Sequence, residues 1–169
     1  MSADLKDYRA ARRAFIAACE QAGVDAIARV HPVKGADGKP LFMDSAALGP
    51  RLAGKALIAI AQDLPGSQAL TALLHKPVAL PEDMQLVLVH ALMPAGTDAK
   101  DWLRASLQAV ATEDLSRVRE LAVLALGEDG KNFEIHPPQP DAIIRVLPPA
   151  ATGAKAHDAI AMFLAAKSE

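Results

Sequence analysis

The chain has 169 residues, 51% hydrophobic and 22% charged, with a formal net charge of −2, a composition typical of a folded domain that buries roughly 70% of its unfolded surface. Aromatic residues make up 4% and basic residues are not in excess, which argues against a nucleic-acid partner, because phosphate backbones select lysine and arginine and single strands select stacking rings. No apolar run approaches the roughly 18 residues of a membrane span, and the start MSADLKDYRAARR is charged where a signal peptide would be apolar.

Residues 5–22 carry Leu5, Tyr8, Ala11, Phe15, Ala18, Cys19 and Ala22 at helical spacing, closed by Gly23. Cys19 is the only cysteine. It forms no internal disulfide and lies among alanines, so the expectation is a buried core thiol in a cytosolic protein. VDAIARVHPV reads as a strand, ADG as a turn and PLFMDSAALG as a short return, which together predict a hairpin. KALIAIA, residues 55–61, is a short apolar run of the kind found in buried parallel strands.

Ser67 is then expected to cap the helix SQALTALLHK, which Pro77 terminates, and QLVLVHAL makes a second buried strand. Strand, helix and strand within about 35 residues predict a βαβ unit with a right-handed crossover. Asp98 is placed to cap the helix AKDWLRASLQAVA. Residues 118–136 suit either a continued helix or a hairpin, VRELAVLAL turning at GEDGKN into FEI, and the hairpin is favoured. AIIRVL adds a strand between prolines, and AKAHDAIAMFLAAK is an amphipathic C-terminal helix whose stripe Ala159, Ile160, Phe163 and Leu164 suits a core or a homo-oligomer contact. With no repeat and no linker, residues 1–169 are expected to form a single α/β domain.

Chemistry-bearing motifs are few. GPRLAGKA, residues 49–56, is one residue short of a phosphate loop, but it precedes a strand, whereas a phosphate loop follows a strand and opens a helix. The five histidines have no HxxE, HxxH or HxH spacing, so no local metal-ligand pair exists. His31 is expected in the hairpin and His75 near a helix C-terminus, where a cation suits the dipole. His90, near the end of a buried strand, lies where α/β folds place ligands, although a hydrogen-bonded structural histidine is the simpler expectation. Gln62, Asp63, Ser67, His90, Thr97 and Asp98 should gather at the C-terminal edge of the two parallel strands. Asp63, Ser67 and His90 are the candidate catalytic residues, but Ser67 is not in GxSxG and nothing in the sequence brings His90 within reach of it.

YRAARRAFIAACEQAG, followed by HPVKGADGKPLFMDSAALGP and KALIAIA, resembles an uncharacterised bacterial branch of the zinc carboxypeptidase-like hydrolases, where a similar helix leads to HPxxGxDGxPLxxDxxxLGP and the first sheet strand. His31, Pro32, Gly35, Asp37, Gly38, Pro40, Leu41, Asp44, Leu48, Gly49 and Pro50 fall in place, and HALMPAG, residues 90–96, is similar to the family's HALNPYG. The resemblance spans roughly residues 8–96 and implies a three-layer fold with a mixed, partly parallel sheet. It also implies that the turn after the first strand should hold zinc through a histidine and a glutamate. Here that turn is QDLPGS, with neither ligand, and the only asparagine in the chain is Asn132. The implied protein is a truncated, catalytically silent remnant with no cofactor and no metal site, acting as a binding module for a protein or small molecule. The alternative is a small hydrolase using the non-zinc cluster at the sheet edge.

Overall fold

The computed structural model describes residues 5–34, 38, 40–49, 54–76, 80, 82–93, 99–114, 118–126, 143–146 and 153–168. Helix α1 (Leu5–Gln21) ends on Gly23, whose φ of 73° is the left-handed conformation that glycine adopts without penalty. The Gly23 amide donates to the Glu20 carbonyl and the Val24 amide to that of Cys19, which satisfies the last carbonyls and turns Val24 back toward the core. Strands β1 (Ala26–Val30) and β2 (Phe42–Leu48) follow as the predicted antiparallel hairpin.

β3 (Lys55–Ala61), α2 (Leu64–His75) and β4 (Met84–His90) form the predicted βαβ unit, with β3 and β4 parallel. α3 (Ala99–Asp114) leads to β5 (Glu120–Leu126), and β6 (Ile143–Val146) precedes α4 (Gly153–Ser168). Of the two readings of residues 118–136, the strand half of the favoured one is seen: Glu120–Leu126 is β5, which lies between β3 and β6 and is parallel to both. It is buried on both faces, which explains why its pattern is continuous rather than alternating. The expected return arm FEI lies outside the described residues.

The sheet order is β1-β2-β4-β3-β5-β6, mixed and partly parallel. On one face Phe15, Ala18 and Cys19 of α1, Leu70 and Leu73 of α2, and Ala156 and Ile160 of α4 pack on Leu57, Ala59, Leu86, Leu88 and Leu124. The α4 stripe serves the core through Ile160, Ala159 and Phe163; the side chain of Leu164 lies outside the described residues. On the other face Trp102, Leu103, Leu107 and Val110 of α3 cover Ile58, Ile60, Val87, Val89 and Val123. Three layers result, as expected.

The β3-to-β4 connection steps one way with α2 on the first face, and the β4-to-β5 connection steps back with α3 on the second. Reversing both direction and face preserves the hand, so both crossovers share it. The adjacent ends of β3 and β4 send their chains to opposite faces. This is the topological switch point where open α/β sheets place their ligands.

Candidate functional site at the sheet switch point

Beyond the strand ends the two chains stay zipped: the Ala91 amide donates to the Ala61 carbonyl and the Met93 amide to that of Gln62, both at 2.9 Å. α2 begins earlier than expected. Its N-cap is Asp63, in extended conformation, whose Oδ1 accepts from the Gly66 amide at 2.7 Å, and Pro65 sits in the first turn, where its missing N–H removes no helical bond. The expectation that Ser67 caps the helix is therefore wrong: proline and glycine lie within the first turn rather than before it. A Cβ on Gly66 would stand 2.6 Å from the Leu126 carbonyl oxygen, so this glycine seats α2 directly on the end of β5.

Released from capping, the Ser67 side chain turns inward, and its Oγ lies 2.8 Å from Nε2 of His90. Both residues are buried, at 4% and 2% exposure. His90 also stacks on Phe15, with ring centroids 5.1 Å apart. Burial brings the His90 pKa down to about 4; the Asp44 charge pulls it upward and the Arg12 charge pushes it down by less, and burial prevails over both. The imidazole is neutral at pH 7.

Asp44 lies directly opposite His90 in the β2–β4 ladder, where a catalytic triad would place its orienting acid. Its carboxylate is committed elsewhere. Arg12 Nε donates to Oδ2 at 2.7 Å and Nη2 to Oδ1 at 3.2 Å, a two-pronged ion pair on an aspartate that is only 1% exposed. Among the described residues no hydrogen bond reaches Nδ1 of His90. The sequence candidates thus divide. Ser67 and His90 meet; Asp63 is turned into the helix cap; Gln62 contributes its backbone carbonyl to the zipper; Thr97 and Asp98, with the expected Asp98 cap, lie outside the described residues.

Arg12, Phe15 and Asp44 were not foreseen as site residues. The available signal was Asp44: in FMDSAAL it occupies the inward parity shared by Ala46, where a charge requires a partner. Ser67 forms the inner wall of an apolar groove of about 540 Å³ between α1 and α2, with Ala11, Ala14, Leu64 and Ala72.

His31 forms a second buried polar cluster on the opposite face. It sits in the β1–β2 connection as expected, but it is 2% exposed and lies flat on Trp102, with centroids 3.6 Å apart. The Ser106 hydroxyl has one proton, which it donates to the Trp102 carbonyl at 2.7 Å. It must therefore accept from Nε2–H of His31 at 2.6 Å, while Nδ1 accepts from the Val33 amide at 3.0 Å. Every site on this imidazole is used, and burial lowers its pKa to about 4. Cys19 is fully buried, its thiol pushed up to about 11 by burial and by the Asp44 charge, as a core residue should be.

A single mixed sheet between two helical layers, with Ser67 and His90 buried together at its switch point, is the class of protein that the fold and site define. Residues 5–132 match the model of the family described as protein of unknown function, DUF2817, and the chain belongs to that family. No curated protein matches it. Among solved structures it is similar to the glutaminyl cyclase of Porphyromonas gingivalis, at 16% identity over 69% of this chain and 50% of that one, with a TM-score of 0.47. It is similar to a leucine aminopeptidase precursor from Bacteroides thetaiotaomicron VPI-5482, at 13% identity over 73% and 55%, with a TM-score of 0.46. A third is the esterase LipW from Mycobacterium marinum, at 19% identity over 72% and 40%, with a TM-score of 0.41. The chain spans about half the length of these proteins or less. These are likenesses of outline and carry no assignment of activity.

Proposed function

We propose that this protein is a catalytically silent relative of the carboxypeptidase-like zinc hydrolases, used as a binding or interaction module in the cytosol. One observation carries the reading: among the described residues, the acidic, serine and histidine side chains at the sheet edge are committed to bonds within the fold. Asp63 caps α2, Asp44 is held by Arg12, and His90 bonds Ser67. The zinc that the family resemblance implies does not fit this donor set. Among the described residues no three histidine, cysteine, aspartate or glutamate side chains gather as a metal site requires. Hydrolysis by zinc also needs a base to take the proton of the bound water, and the turn QDLPGS offers only the capping Asp63.

The test is metal analysis of protein refolded with excess zinc, together with turnover on peptide, acyl-amide and ester substrates. Substoichiometric zinc and no turnover are the expected outcome; one zinc per chain with turnover refutes the reading. The free single thiol and the lack of any helix long and apolar enough to cross a membrane among the described residues support the location.

A second reading is favoured by the 2.8 Å contact between Ser67 and His90 beside an apolar groove: a serine hydrolase in which neutral His90 takes the Ser67 proton. A histidine of pKa about 4, with no acid on Nδ1 among the described residues, is a poor base for that step. A fluorophosphonate probe separates the two. No labelling is expected; labelling that disappears in Ser67→Ala establishes the hydrolase.

A further inference from the structure

β1 is an edge strand, paired among the described residues with β2 alone. Among the described residues, three of the four exposed large hydrophobic side chains lie at this edge, namely Ile27 at 55%, Val30 at 59% and Phe42 at 44%. Single exposed apolar residues are ordinary, but Ile27 and Val30 lie on the edge strand itself and Phe42 pairs with Val30 beside it. The usual protections of an edge are missing: AIARV contains no proline and no lysine, and its only charge is Arg29.

The hydrogen-bond parity of this edge is set by the hairpin. The His31 amide donates to the Leu41 carbonyl, and pairing continues Val30 with Phe42 down to Ala26 with Ala46. Residues 27, 29 and 31 therefore turn their amides and carbonyls toward β2, and residues 26, 28 and 30 turn theirs outward. Asp25, Ile27 and Arg29 project from one face of the sheet, in the order acidic, apolar, basic.

We infer that two copies of this chain associate edge to edge, β1 against β1, about a two-fold axis through Ile27. That axis places Ala26 opposite Ala28 of the second copy, where outward groups meet outward groups as an antiparallel ladder requires. It places Ile27 on Ile27 and Asp25 on Arg29, and by symmetry Arg29 on Asp25. The neighbouring axes allowed by parity lack this match: an axis through Ala28 sets Ile27 on Arg29, and an axis through Ala26 sets Asp25 on Ile27. An axis through Arg29 itself, with its side chain already reaching Ser45, would oppose like charges. The acidic–apolar–basic row is self-complementary in one register only, and this charge match makes a second copy the occupant. Two six-stranded sheets then join across the interface.

Light scattering of the full chain over a concentration series tests this. A mass of two chains is expected. Ile27→Lys, which sets two lysines on the axis, should raise the dissociation constant at least about tenfold. Ala28→Pro removes an outward N–H that serves no internal bond, and should do the same without loss of fold by circular dichroism. Asp25→Arg should dissociate the dimer, and adding Arg29→Asp should restore it. A monomer at every concentration overturns the proposal, as does a dimer indifferent to Ile27→Lys and Ala28→Pro; a double reversal that stays dissociated overturns the axis through Ile27.

Discussion

Lowering the pH should unfold this protein through two histidines. His31 and His90 are each 2% exposed, and both have folded pKa values lowered from 6.5 to about 4 by burial. Above about pH 6.5 neither the folded nor the unfolded chain protonates them, and their contribution is complete. As pH falls from 6.5 toward 4 the unfolded chain takes up two protons that the folded chain refuses, so stability falls; below about 4 both states are protonated and the slope vanishes. Each histidine removes about 1.4 kcal/mol per pH unit in that window, about 3.4 kcal/mol in all, and the pair about 7 kcal/mol. Domains of this kind are stable by about 5–15 kcal/mol. The window therefore takes away a large share of the total.

Urea unfolding at about pH 7.5, 6.5 and 5, followed through the only tryptophan, the fully buried Trp102, measures the slope. His31→Gln and His90→Gln should each remove about half of the histidine contribution, and the difference from wild type isolates it from carboxylate titration common to all three. Equal slopes in wild type and both variants would refute the reasoning. So would a free energy that stays flat between about pH 6.5 and 5.

Gly66→Ala sets two effects against each other: alanine gains about 1 kcal/mol of helix propensity, while its Cβ meets the Leu126 carbonyl oxygen at 2.6 Å and Asp63 Oδ1 at 3.0 Å. Both obstacles are fixed, so a net loss of about 1–3 kcal/mol is expected, and a rise in thermal midpoint would show that α2 is not seated on β5. Arg12→Ala strands the buried Asp44 charge and should cost about 2–4 kcal/mol, below the full buried-pair value because Arg12 is one-third exposed; combining it with Asp44→Asn should recover part of the loss. In that single variant the His90 pKa should rise, since the Arg12 charge that lowers it is gone while Asp44 remains. A downward move in the imidazole NMR titration would contradict the geometry.

Residues whose roles are local were legible in the sequence. Gly23 terminates α1 because the next conformation needs positive φ, and KALIAIA and QLVLVHAL are strands because both faces of a parallel sheet are buried. The order of these elements carried the βαβ unit and hence the C-terminal edge where Asp63, Ser67 and His90 converge. The N-cap of α2 lies four residues before the expected Ser67, at Asp63, since proline in a first turn resembles proline before a helix, and that shift turned Ser67 from a cap into the partner of His90.

Periodicity and turn chemistry by themselves determined the element types, the α/β class and the lack of a local metal motif. Only the tertiary structure decided that Asp44 lies opposite His90 yet belongs to Arg12, 32 residues away, and that the His31 ring, from its place in the hairpin, lies on Trp102 and bonds Ser106, 75 residues distant. Register between strands and the seating of a helix on a sheet are collective packing outcomes, to which each residue contributes only a fraction. No window of sequence contains both partners of such a contact, so its geometry becomes visible only once the layers close.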